Sequence, residues 1–163
     1  MKALVDVVKP GHLISLGMDI ERPSCIDPGN HLTLQFADVV KLTPENEEVA
    51  PTTHHMRELI EFGNKWDGSR PMVIHCRLGK SRSPAAAYIL MCLKNPGREA
   101  ECARLLRDRG WFCWPNRLMV RIADQVLGCH GRMIRAMDSE PFSLDIDIEE
   151  EFSVPVSLSD ADS

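Results

Sequence analysis

The chain's 163 residues are 44% hydrophobic and 26% charged, with a formal net charge of −5, the size and balance of an ordinary globular protein with one core burying roughly 70% of its unfolded surface; nothing in the composition points to a fibrous or disordered class. No apolar run approaches the ~20 residues that span a bilayer, and Pro10-Gly11 interrupts the N-terminal segment before a signal-peptide core develops, so no membrane span and a cytoplasmic location are expected. The charge is uneven: no Lys or Arg follows Arg135 while nine acids do, leaving the body with 19 cations against 15 acids, a net +4 suited to an anionic ligand.

Six cysteines (Cys25, Cys76, Cys92, Cys102, Cys113, Cys129) lie without a Cys-x-x-Cys pair, which points to reduced thiols rather than a zinc ribbon or a disulfide scaffold. Lys2 to Val8 is apolar without a clear period and fits helix or strand. His12 to Leu16 predicts a buried strand closed by Gly17, and Glu21 to Asn30, with Pro23, Pro28 and Gly29, predicts a loop. His31 to Phe36 alternates Leu32, Leu34 and Phe36 with polar residues, which is strand periodicity.

Pro51 and Thr52-Thr53 start a predicted helix whose apolar face is Met56, Leu59, Ile60 and Phe62, ending near Asp67-Gly68. Pro71 to Cys76 predicts a short apolar strand, and Pro84 to Lys94 a helix with proline in its first turn, where a missing N–H costs little. Two further helices are predicted over Arg98–Arg109 and from Pro115 to about Gly128. Strands alternating with helices in this order point to an α/β sandwich. An acidic tail from residue 138 follows the body of residues 1–137; its stretch Phe142 to Ile148 fits an edge strand or a solvated terminus, and roughly the last ten residues are expected to be loose.

The chemistry is carried by Val73-Ile74-His75-Cys76-Arg77-Leu78-Gly79-Lys80-Ser81-Arg82-Ser83. Strand, tight loop and helix N-terminus in succession let main-chain N–H groups converge on one concavity, where the helix dipole adds positive potential. Such a loop attracts an oxyanion, and Gly79 permits the chain to curl closely around it. Cys76 at the strand end and Arg82 at the helix start face the same anion. In that field a thiolate is favoured over a thiol, and Arg82 can grip two phosphoryl oxygens bidentately, holding phosphorus in line with sulfur.

These residues, His75-Cys76, five more, then Arg82-Ser83 with Gly79 three after the cysteine, resemble the signature of protein-tyrosine and dual-specificity phosphatases. The resemblance covers about eleven residues fully and Leu13 to Gly128 loosely. It implies a three-layer sandwich with a short, mostly parallel central sheet, and a cysteinyl-phosphate intermediate at Cys76 formed without metal or cofactor. It further implies that Arg77, Leu78, Gly79, Lys80 and Ser81 bind substrate, that Ser83 helps the thiolate leave and that His75 orients the loop. The family places a general acid on a loop upstream of the cysteine, and Asp38 fits that place, with Glu45, Glu47 and Glu48 as substitutes; Asp67 reads as a turn residue.

Implied substrates are a phosphorylated protein, with phosphotyrosine foremost, or a small phosphomonoester; no nucleic-acid partner is expected. The family fold carries a further strand, so either the sheet here is one strand short or the sequence starts within that fold. Arg77 and Lys80 resemble the extra cations of the phosphoinositide-cleaving branch, although in a peptide phosphatase they would point to solvent. Pro115-Asn116 resembles a helix start at which a polar residue buttresses the phosphate loop, against plain helix initiation. A phosphate-binding pseudophosphatase and a rhodanese-type sulfurtransferase are the other classes to be tested. His54-His55, adjacent at a helix start, point in different directions and have no evident third ligand. Trp111, Phe112 and Trp114 fit either a core cluster or a cleft wall.

Overall fold

The computed structural model describes residues 2–18, 20, 26–148 and 150–158. In chain order the elements are α1 (Lys2–Val8), β1 (His12–Leu16), β2 (His31–Leu34), α2 (Thr53–Lys65), β3 (Met72–Cys76), α3 (Arg82–Lys94), α4 (Glu99–Arg109), α5 (Arg117–Val126) and α6 (Arg132–Ser139), with 3-10 turns at Pro28–Asn30 and Glu47–Val49. Among the described residues this is an α/β fold of six helices and a three-stranded, all-parallel sheet in the order β2-β1-β3. No helix among them is long and apolar enough to cross a membrane.

Parallel strands covered on both faces read as continuous apolar runs, and β1 obeys this: Leu13, Ile14 and Leu16 are fully buried in the centre of the sheet. Its register sets Leu16 opposite both Leu34 and Cys76, so all three strands end level. α2 is entered through a capping box in which the Thr52 hydroxyl accepts from the His55 N–H and the His55 ring accepts from the Thr52 N–H. Gly63 lets α2 lie close on α3, since a Cβ there would meet Leu90 Cδ2 at 2.3 Å. α3 is buried almost all round, the pattern of a helix inside the core, and it packs against β3, α2, α4 and α5.

The apolar segment Lys2 to Val8, which by sequence fits helix or strand, is a helix. Other expectations are corrected. The strand from His31 stops at Leu34 rather than Phe36, because β1 ends at Leu16; the Gly17 N–H donates to the Leu34 carbonyl at 3.0 Å, and the chain beyond turns aside so that Ala37 N–H donates to Val49 O at 2.7 Å. α6 is a helix that the sequence patterning did not foresee. Its N-cap is Gly131 in the left-handed region, and the missing local cap is replaced from α5, where the buried Asp124 accepts from the N–H groups of Gly131 (2.6 Å) and Met133 (2.9 Å).

Among the described residues, Phe142 to Ile148 forms no strand, and the tail is tied to the body by hydrogen bonds and packing. Ser143 and Asp145 N–H groups donate to the carbonyls of Trp111 and Phe112 at 3.1 Å each, away from the sheet. Phe152 stacks edge-on to Phe112, and Leu158 is buried, its N–H donating to Asn95 Oδ1 at 3.0 Å. Asn95 Nδ2 in turn donates to Val156 O at 2.6 Å. Of the loop expected over Glu21 to Asn30, residues 21–25, Cys25 among them, lie outside the described residues, as do the terminal residues 159–163.

Candidate active site

Because β1 and β3 end level, their carboxyl ends open a crevice beside the N-terminus of α3, where ligands of parallel α/β sheets bind. A cleft of about 630 Å³ lies there, lined by Gly17, Met18, Ile20, Ala37, Asp38, His75, Cys76, Arg77 and Arg82. β3 delivers Cys76, half-buried, as its last residue, and α3 begins with Arg82 and Ser83. Between them Gly79 takes φ +70°, a left-handed turn that glycine adopts without a Cβ penalty.

Cys76 Sγ lies 3.3 Å from Ser83 Oγ. Arg82 is only 9% exposed, and its Nη1 donates to the Phe36 carbonyl at 2.9 Å. Its guanidinium lies against Gly17, where a Cβ would stand 3.2 Å from Nη1, so the absence of a side chain there makes room for it. Among the described residues the buried Arg82 Nε has no hydrogen-bond partner. An unsatisfied buried donor on a cation is costly, and an oxyanion bound in the cleft would satisfy it.

Asp38 reaches the same cleft from the loop after β2 and is exposed. One of its oxygens, Oδ1, accepts from Ser81 Oγ and from Asn116 Nδ2, both at 2.7 Å. Asn116 is fully buried and serves both roles left open by the sequence. Its Oδ1 caps α5 by accepting from Met119 N–H at 2.9 Å, while its amide group holds Asp38 and the Val39 carbonyl and its N–H donates to Ser81 O. Glu45, Glu47 and Glu48 do not line the cleft. Asp67 is a turn residue, accepting from the Ser69 N–H and hydroxyl.

His75 is held from behind by residues the motif does not contain. Ser15, fully buried in β1, places its hydroxyl 2.6 Å from His75 Nε2 and 2.9 Å from His31 Nε2 on β2. Burial, then the neighbouring His31, push the His75 imidazole down to about 4, so it is neutral at physiological pH. Ser15 was detectable as the one polar residue inside the apolar run Leu13 to Leu16; nothing in the sequence marked His31 as its partner.

The remaining loop residues divide. Arg77 is exposed and lines the cleft, while Leu78 is 71% exposed and does not. Lys80 departs from the expectation: it is 7% exposed, is absent from the cleft lining, and donates to the Ile148 carbonyl while its ammonium sits 4.2 Å from the centroid of the Phe112 ring. The tail thus captures the side chain expected at the substrate. Trp111, Phe112 and Trp114 do not wall the cleft either; Phe112 is buried, and the two tryptophans are about half exposed. His54 pairs with Glu58 at 3.5 Å, and His55 is used in the α2 cap.

The five described cysteines are free thiols. Burial pushes Cys113 and Cys129 each up to about 11, which makes both sluggish nucleophiles at neutral pH. Neither a scan against models of known protein families nor a search of the curated proteins returns a match.

Proposed function

We propose that this protein is a cysteine-dependent phosphomonoester hydrolase, acting on phosphotyrosine and with phosphoserine or phosphothreonine as further candidates. The observation that carries the reading is the meeting, at one cleft, of Cys76, a buried Arg82 whose Nε has no partner among the described residues, Ser83 at 3.3 Å from the sulfur, and Asp38, held by Ser81 of the loop. A three-layer, protein-tyrosine-phosphatase-like arrangement around the observed parallel sheet, and a cytoplasmic location, belong to the same proposal.

The Cys76 thiolate attacks phosphorus from one side while the ester oxygen leaves from the other. The S–P bond forms as the P–O bond breaks, and the departing oxygen takes a proton from Asp38. The bonds from Ser81 and Asn116 both fall on Oδ1, which leaves Oδ2 to carry that proton. Arg82 and the loop amides neutralise charge on the equatorial oxygens. A water, deprotonated by the same Asp38, then attacks phosphorus. The S–P bond breaks, the Ser83 hydroxyl stabilises the emerging thiolate, and inorganic phosphate leaves.

The deciding experiment is a panel of p-nitrophenyl phosphate, phosphotyrosine peptide, inositol phosphates and phosphoinositides, run beside Cys76→Ser and Asp38→Asn. Cys76→Ser should abolish turnover, and Asp38→Asn should lower it about 10²- to 10⁴-fold for poor leaving groups. Unchanged phosphotyrosine turnover in Asp38→Asn would exclude Asp38. A polyanionic inositol substrate is the second reading, supported by Arg77 at the cleft but weakened because Lys80 is held elsewhere. Phosphopeptide binding without turnover, indifferent to Cys76→Ser, would instead mark a binding module.

A further inference from the structure

We propose that the C-terminal segment, described over residues 142–148 and 150–158, is a strap that sets the shape of the Cys76–Arg82 loop from behind, with Lys80 as its latch and a positioning residue. The catalytic consequence rests on the phosphatase reading above; the mechanical coupling does not.

The loop is backed by the turn between α4 and α5. Cys113 Sγ donates to Gly79 O at 3.6 Å, Trp114 N–H to Lys80 O at 2.8 Å and Asn116 N–H to Ser81 O at 3.0 Å, so three consecutive loop carbonyls face the turn. In a trans peptide the carbonyl of one residue and the N–H of the next point in opposite directions. With the carbonyls of residues 79, 80 and 81 fixed toward the turn, the N–H groups of Lys80, Ser81 and Arg82 are turned away from it, the orientation an oxyanion beside Cys76 requires. The turn therefore determines where the amides aim.

The strap grips both halves of that arrangement. Its Ser143 and Asp145 N–H groups bond the carbonyls of Trp111 and Phe112 in the turn, and its Ile148 carbonyl takes the Lys80 ammonium from the loop. Farther on, Phe152 stacks edge-on to Phe112 at 5.8 Å and lies directly over Gly110, where a Cβ would meet the ring at 2.7 Å. Asn95, at the end of α3, then fixes Val156 and Leu158. A buried ammonium needs an acceptor. If the strap lifts, Lys80 has to swing out to water, and the peptide planes on either side of it lose their common orientation.

The test uses the full chain with Lys80→Met, which keeps a long side chain but removes the ammonium, Phe152→Ala, which takes the strap's ring off Phe112 without removing any hydrogen bond to the loop, and the double variant. Amide hydrogen exchange is followed over residues 77–82 beside kcat and KM for p-nitrophenyl phosphate. Each single variant should raise loop exchange and lower kcat by about tenfold with a smaller change in KM. The double variant should be no worse than the worse single, as expected of residues acting through one contact chain. Unchanged loop exchange, exchange rising equally through β3 and α3, or effects that multiply in the double variant would each overturn the proposal. If exchange responds as expected but the wild-type chain hydrolyses no phosphomonoester, the strap stands and the phosphatase reading falls.

Discussion

His75 gives the chain a pH-dependent stability that can be worked out from its surroundings. Its imidazole is buried at the root of the loop and pushed to about 4 by burial and by His31, whereas an unfolded histidine titrates near 6.5. Between these values the unfolded chain binds a proton that the folded chain refuses, so stability rises with pH. The contribution is complete above about pH 6.5 and is lost as pH falls toward 4. At about 1.36 kcal/mol per pH unit the full loss is about 3 kcal/mol, of which about 2 kcal/mol is gone near pH 5. Carboxylates titrate in the same range, so the assay is the difference between wild type and His75→Gln in urea unfolding, at about pH 7.5 and about pH 5. The wild type should lose about 2 kcal/mol more than the variant on acidification. Equal losses would refute the placement of a neutral, buried imidazole against Ser15.

Asn116→Ala should cost about 2 kcal/mol or more, since it removes the α5 cap and leaves the buried N–H of Met119 without its partner. It should also lower turnover more than it lowers phosphate affinity, because it frees Asp38 without touching Arg82; a variant that binds and turns over normally would refute its role in holding Asp38. Ser83→Ala should slow the second half-reaction by about tenfold or more, giving a burst of phenol release followed by a slower steady state. A proportional fall in burst and steady state would show that the hydroxyl acts in the first step instead.

The sequence made the loop legible because its chemistry is local. Cys76, Gly79, Arg82 and Ser83 occupy a strand end, a left-handed turn and a helix start within eight positions, and local patterning predicts all three. The helices α2 to α5 were equally readable from apolar spacing, to within a few residues at their ends. What escaped depends on partners distant in sequence. α6 lacks an N-cap side chain of its own and borrows Asp124 from α5. The end of β2 is set by where β1 stops, not by the alternation that continues through Phe36. Lys80, read by position as a substrate contact, is decided by a carbonyl 68 residues away, and the charge of the tail disguised a strap whose anchors are the main chain, Phe152 and Leu158.

The proposed catalysis requires the sulfur of Cys76 to bond directly to phosphorus. Acid-quenching the wild type and Ser83→Ala during turnover of p-nitrophenyl phosphate, followed by mass spectrometry of the peptide containing Cys76, tests that bond. The expected result is one added phosphoryl group on Cys76, more abundant in Ser83→Ala and absent in Cys76→Ser. Steady turnover with an unmodified Cys76 peptide, or a phosphoryl group found on another residue, would contradict it.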